Sequence, residues 1–364
     1  MSLLRLLRGL DSSRFENVVI SLTDCGAVGR LIEDLGVTVV SLDLKTNPFH
    51  ILRCLSPRVL TDLQADILQG WMYHGNLAAT AAVPLARQRP RLFWNVRHSL
   101  SGLGNEKLLT RWTIRSGAYF SRRPHGIIYN SVAAARQHES LGYSSSKTVV
   151  VPNGFDLDEF SPVPGAGEWL RQELDCPPDS VLVGCVARFH PNKDHRNFLK
   201  AAGLVARQKN HVHFVLCGRG VDRMNSQLLD AARSWGIERR THFLGERNDL
   251  PRLLSGLDIA VLSSLTEGFP NVVGEAMACG TPCVVTDVGD SALLVDKCGR
   301  VVPPRAPEKI AAALLELLEL DPAAKTDLDR LARQRIADTY SLQSTINSYE
   351  KIYSDAKNFI GGKR

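Results

Sequence analysis

Short runs of β-branched and apolar residues recur along most of this chain, separated by stretches of helical periodicity. VVISL, VTVVSL, ADILQG, RLFWNVR and GIIYNS come first, and VLVGCVAR, VHFVLCG, DIAVLSS and PCVVTD come after them. Strands joined through helices pair in parallel, because a tight turn can connect only antiparallel neighbours. The alternation therefore predicts an α/β fold with two parallel-sheet, Rossmann-like domains. TVVVPNGFD, residues 148 to 156, closes the first series on a Pro-Asn-Gly turn, and the Pro/Gly-rich SPVPGAGEW comes next. The boundary is expected near residue 152, giving domains at 1–152 and 153–340. The tail, 341–364, has a helical pattern from Ser341 to Lys357 and is expected to return to the first domain.

At 364 residues and 44% hydrophobic content the chain can bury two cores, which excludes disorder as its dominant state. Its longest apolar runs fall well short of the roughly 20 residues that span a bilayer, and the N-terminus lacks a cleavable apolar leader, so secretion is not expected. Cys25, Cys54, Cys176, Cys185, Cys217, Cys279, Cys283 and Cys298 form no CxxC pair and lack His-rich partner spacing. They read as reduced core residues of a cytoplasmic protein.

Charge is uneven. Through residue 150 there are 18 Lys and Arg against 10 Asp and Glu, and the remainder holds 26 against 28. Between Arg87 and Arg123 nine basic residues face one acid, Glu106, a field that favours an anionic partner. Within it, KLLTRWTIRSGAYFSRR places Lys107, Arg111 and Arg115 on one helical stripe beside Leu108, Trp112 and Tyr119. Two readings stay open: a helix lying on an anionic membrane surface, in peripheral contact with its inner face, or an ordinary packed helix with a solvated basic side. Beyond the charge no nucleic-acid recognition motif is present.

Ligands of open α/β sheets bind beyond the carboxyl ends of the strands, where glycine turns and helix N-termini present N–H groups. Three segments qualify: VARFHPNKDH with Arg188 and Lys193, LCGRG with Gly218 and Gly220, and the EGFPNVVGE stretch. In the last, Pro270 suits the first turn of a helix, and Asn271, Val272 and Val273 come next with N–H groups suited to an anion. Glu275 lies one turn further on the same face, while Glu267 precedes the turn. Two carboxylates, which only accept hydrogen bonds, around a phosphate cradle suit a ligand with hydroxyls on both sides of its phosphates, such as a nucleotide sugar.

EGFPNVVGEAMACGTPCVVTDVGD, together with VPNGFD, VARFHPNKDH, LCGRG, FLGERNDL, WNVRHS and IIYNS, resembles the family 4 retaining glycosyltransferases of GT-B fold. The resemblance covers nearly the whole chain. It implies that Glu275 binds the nucleotide ribose and Glu267 the donor sugar's hydroxyls. Gly218, Gly245, Glu246, Arg247, Gly268, Phe269, Pro270, Asn271 and Val272 line the donor site, with the base held by backbone at Gly245 to Arg247. Arg188 and Lys193 match the basic pair on the diphosphate, and His98 a first-domain histidine facing the donor sugar. It further implies transfer from a nucleotide sugar, UDP-linked, to a glycan or lipid-linked acceptor in polysaccharide biosynthesis. No cofactor is implied, and no acidic DxD-like pair is placed to hold a metal. A nucleotide-sugar-binding protein without turnover and a UDP-sugar epimerase remain alternatives. Family members begin with a strand and a Gly-Gly loop before the helix that here reads MSLLRLLRGL, so in-frame coding for about five apolar residues and that loop is expected upstream of Met1.

Overall fold

The computed structural model describes residues 2–44, 64–100 and 102–361. Two compact units emerge: Met1–Gly154 with Leu342–Arg364, and Phe155–Ser341. The division falls two residues after the position expected from the Pro-Asn-Gly turn.

The first unit contains β1 (Val18–Ser21), β2 (Thr38–Ser41), β3 (Ile67–Trp71), β4 (Arg91–Val96), β5 (Gly126–Tyr129) and β6 (Thr148–Val150). All pair in parallel, but in two separate sheets, β1-β2 and β3-β4-β5-β6. Both faces of β4 are buried, as parallel strands covered by helices require. Trp94 and Val96 join one core with Ile127 and Tyr129, while Phe93 joins another with Ile128, Tyr349 and Tyr353. The last two come from the final helix, Leu342–Gly361, which is fastened where Asn95 Nδ2 donates to Tyr349 Oη (2.6 Å) and Thr345 Oγ1 to the Pro152 carbonyl (3.1 Å).

The second unit holds β7 (Val181–Val186), β8 (Val212–Cys217), β9 (Thr241–Phe243), β10 (Ile259–Leu262), β11 (Cys283–Thr286) and β12 (Gly299–Val302). They form one parallel sheet in the order β12-β11-β10-β7-β8-β9. Alternation along β8 divides the core: Val215 and Cys217 face one apolar cluster, Phe214 and Leu216 the other. β9 and β12, the two edges, have no counterpart among the apolar runs. Paired on one side only, they are three and four residues long and keep partly exposed positions.

Two expectations need correction. Pro270 does not enter the helix; it occupies the cap position before Asn271–Ala278. Nor are all the cysteines core residues: Cys185, Cys217, Cys279, Cys283 and Cys298 are buried, but Cys25 and Cys176 are partly exposed. Cys54 lies outside the described residues.

Candidate functional site

In the second unit the chain runs from β7 outward to β8 and β9, then returns to β10 on the other side of β7. Loops leaving β7 and β10 diverge there, which opens a crevice at the carboxyl edge. The loop after β7 ends in a short turn, Pro191–Lys193, and Asp194, in the left-handed region (φ 45°), caps the helix His195–Ala206. Ser263 Oγ donates to the carbonyls of Lys193 (2.9 Å) and Asp194 (3.2 Å), and Leu265 N–H to that of Asn192 (2.7 Å). These bonds fix the two diverging loops to each other. On the other side, Gly218 N–H donates to Gly245 C=O and Gly245 N–H to Val221 C=O, both at 2.8 Å. Gly218 (φ 144°) is forced: a Cβ there would lie 2.3 Å from the Ala187 carbonyl oxygen.

The loops bring two expected residues together. Lys193 Nζ lies 2.5 Å from Glu267 Oε1, with only 22% and 12% of the two side chains exposed. Ser264 Oγ donates to the same oxygen at 2.6 Å. A lysine and a glutamate 74 positions apart thus form one partly buried polar centre at the crevice. Arg188, in the same loop as Lys193, is exposed, and no ion pair holds it among the described residues. At the helix Asn271–Ala278, Val273 N–H closes onto the Pro270 carbonyl (3.1 Å), so it is spent internally rather than offered to an anion. Asn271 is exposed, and Val272 and Glu275 are half-buried.

Some residues have other work than expected. Phe269 is buried, stacked on Phe155 with centroids 6.0 Å apart and against Tyr340 at 5.7 Å, so its ring belongs to the core and only its backbone lines the loop. The Arg247 guanidinium is committed to Glu173 and Asp249 and lies 5.6 Å from the Trp169 ring. Those bonds hold the Asp249 carboxyl below its ordinary value. Glu246 is exposed, and Gly245 takes a positive φ of 67°. Gly268 accepts from Asp290 N–H (2.9 Å). Gly289, which sequence reasoning passed over in the DVGD turn, sits so close that a Cβ would meet the Gly268 and Glu267 carbonyls at 2.5 and 2.6 Å.

In the first unit, His98 lies just beyond β4 and ends a chain of side-chain bonds. His138 Nδ1 meets the Ala134 carbonyl (2.7 Å), which can only accept, so this nitrogen carries the proton. Burial pushes the His138 imidazole down to about 4, leaving Nε2 to accept from Tyr73 Oη (2.8 Å). Tyr73 Oη in turn accepts from His98 Nδ1 (3.2 Å), and His98 Nε2 lies 3.6 Å from Glu106 Oε1. His98 is therefore orientated from both sides. Tyr73, His138 and Glu106 carried no motif in the sequence.

The basic helix, Leu108–Phe120, buries Ile114 and Gly117. Arg111 leaves the expected stripe, because its guanidinium donates to the carbonyls of Glu106 (2.9 Å) and Gly104 (2.8 Å). Lys107, Arg115, Arg122 and Arg123 are exposed, and so are Leu108, Leu109, Trp112 and Tyr119. Among the described residues no helix is long and apolar enough to cross a membrane.

Comparison with known proteins bears directly on these features. The family described as Glycosyltransferase Family 4 matches residues 1–159, and the one described as Glycosyl transferases group 1 matches residues 180–320. The chain belongs to glycosyltransferase family 4. This family 4 chain is 27% identical over 214 residues, 57% of its length and 54% of the other's, to UDP-Gal:alpha-D-GlcNAc-diphosphoundecaprenol alpha-1,3-galactosyltransferase of Escherichia coli. It is 28% identical over 270 residues, 70% of its length and 69% of the other's, to N,N'-diacetylbacillosaminyl-diphospho-undecaprenol alpha-1,3-N-acetylgalactosaminyltransferase of Campylobacter jejuni. The matched stretch spans about half of the first relative. Among solved structures it is similar to Anabaena HepE, crystallised with UDP and glucose, at 20% identity, TM-score 0.80, over 97% of this chain and 95% of that one. That likeness establishes the GT-B fold.

Proposed function

We propose that this family 4 chain transfers a sugar, with retention of configuration, from a UDP-linked donor to a lipid-linked or glycan acceptor in polysaccharide biosynthesis. The observation that carries the reading is the Lys193–Glu267 centre at the point where the strand order reverses, in the same loops as Arg188 and Asn271. Cleaving a sugar–phosphate bond builds negative charge on the departing diphosphate. Lys193 and the N–H groups at the start of the helix Asn271–Ala278 are set in place before the reaction, so they stabilise that charge with little reorganisation, and Arg188 adds a second cation from the same loop. Glu267, paired with Lys193, accepts hydrogen bonds from donor-sugar hydroxyls, and Glu275 accepts from the ribose. His98, held by Tyr73, is the first unit's candidate catalytic group. The protein supplies these charges from side chains and backbone, and the reaction is metal-independent.

The names of the E. coli and Campylobacter relatives support a lipid-diphosphate acceptor, and the exposed face of the helix Leu108–Phe120 supports peripheral contact with an anionic membrane on its cytoplasmic side. The test incubates the chain with UDP-sugars and an undecaprenyl-diphosphate-linked sugar and measures UDP release. Arg188→Ala and Lys193→Ala should each lower turnover by about 100-fold, on the order of 3 kcal/mol in the barrier. Near-wild-type turnover in both sinks the mechanism. Complete loss in EDTA with rescue by Mg²⁺ contradicts the metal-independent step, and conversion of the UDP-sugar into another sugar nucleotide identifies an epimerase.

A further inference from the structure

At the opposite, amino end of the same sheet lies a cluster that the transfer reaction does not use. His213 on β8 and His242 on β9 are diagonal neighbours on one face, since the register sets His242 opposite Val215, two residues beyond His213. Cys176 arrives from the helix Ala166–Glu173. That helix ends with Asp175 in the left-handed region (φ 52°), Asp175 N–H on the Gln172 carbonyl (3.2 Å) and Cys176 N–H on the Arg171 carbonyl (2.9 Å). Such a termination turns the chain sharply back, and Pro177 and Pro178 stiffen the loop beyond it. All three side chains are half-buried.

Their reactive atoms form a near-equilateral triangle: Cys176 Sγ to His213 Nδ1 3.3 Å, Cys176 Sγ to His242 Nε2 3.5 Å, and His213 Nδ1 to His242 Nε2 3.1 Å. Hydrogen bonding does not account for all three edges. A ring nitrogen has either one proton or one lone pair, so a triangle with two such corners can satisfy at most two edges with directed bonds. A cation satisfies every corner at once. Zinc–sulfur and zinc–nitrogen bonds of about 2.3 and 2.05 Å at tetrahedral angles place sulfur and nitrogen about 3.5 Å apart and two nitrogens about 3.3 Å apart. The observed edges agree to within about 0.3 Å of those ideals.

We propose that Cys176, His213 and His242 bind a zinc-class divalent transition-metal ion, leaving one coordination position for water. Coordination replaces the Cys176 S–H bond by a sulfur–metal bond and releases the proton to solvent. The ligands come from a loop, an inner strand and the edge strand β9, so the ion clamps the weakest margin of the sheet. It lies at the strand ends away from Lys193 and serves structure rather than sugar transfer.

The test titrates tag-free, chelator-washed full chain with Co²⁺ and then Zn²⁺. One Co²⁺ per chain should bind with a thiolate-to-cobalt charge-transfer band that Zn²⁺ displaces. Zn²⁺ at a hundredfold excess over its Kd should raise Tm by on the order of 5 °C. Cys176→Ser should abolish the band, and His242→Gln should weaken Zn²⁺ binding at least about tenfold. Circular dichroism establishes that each variant folds, and either one alone suffices for the comparison. Absence of the band in the wild-type chain overturns the proposal, as does a band that persists in the folded Cys176→Ser variant or wild-type Zn²⁺ affinity in the folded His242→Gln variant.

Discussion

The two units use the same parallel α/β design but hold their candidate groups in different ways. In the second unit a single six-stranded sheet buries every residue of β10 and β11, and the loops at its carboxyl edge are tied by backbone bonds. Lys193 and Glu267 stand on that frame, so main chain places them, and their own pairing and Ser264 orient the side chains. In the first unit the strands fall into two sheets, and all four residues of β1 are only half-buried. There His98 is positioned through side chains, Tyr73 and His138, packed into the core. Backbone-held groups can be replaced with little harm to folding, whereas side-chain-held groups couple chemistry to stability.

The largest contrast should appear in amide hydrogen exchange. A two-stranded sheet is marginal by itself, whereas strands paired on both sides open only with their whole unit. Amides of β1 and β2 should exchange at least about 100-fold faster than those of β7 and β10 in this chain. Equal protection would break the comparison.

Tyr73→Phe sharpens it next. The substitution keeps the ring but removes the hydroxyl between His98 and His138, leaving the His138 Nε2 lone pair buried and unmet at a cost of about 1–3 kcal/mol. Turnover should fall about tenfold while UDP-sugar affinity stays constant. A variant with wild-type stability and turnover would show that His98 needs no such support.

A further effect concerns pH and should be shared by both units. Burial pushes His138 in the first unit and His195 in the second down to about 4, so both are neutral when folded. Unfolded histidine binds a proton near pH 6.5, so the unfolded state takes up more protons between that value and 4. The contribution of each is full above about pH 6.5 and declines as pH falls toward 4, by at most about 1.4 kcal/mol per pH unit. Urea midpoints between pH 7 and 4.5 measure this, and His138→Gln should flatten the slope. A midpoint that rises on acidification would contradict it.

The sequence made legible those features that depend on long, uniform patterns. The runs that mark β7, β8, β10 and β11 are mostly apolar because those strands are covered on both sides. THF and GRVV escaped notice because edge strands are short and half-solvated. Lys193 and Glu267 could be read because each comes after a recognisable strand, but their direct bond arises from the strand order. Phe269 and Arg247 show the converse: motif position placed them at the site, whereas packing against Phe155 and pairing with Glu173 decide what their side chains do. Cys176, His213 and His242 lie far apart in sequence and meet only through sheet register and one left-handed turn, for which no linear pattern exists.

The central claim is that the carboxyl edge of the second unit binds the UDP portion of a donor. Calorimetric titration with UDP tests it most directly, using the wild-type chain and the Glu275→Ala and Arg188→Ala variants. One UDP should bind per chain, and each substitution should weaken binding at least about tenfold, or about 1.4 kcal/mol, with Tm unchanged. Wild-type affinity in both folded variants, or no binding to the folded wild-type chain, would contradict the account.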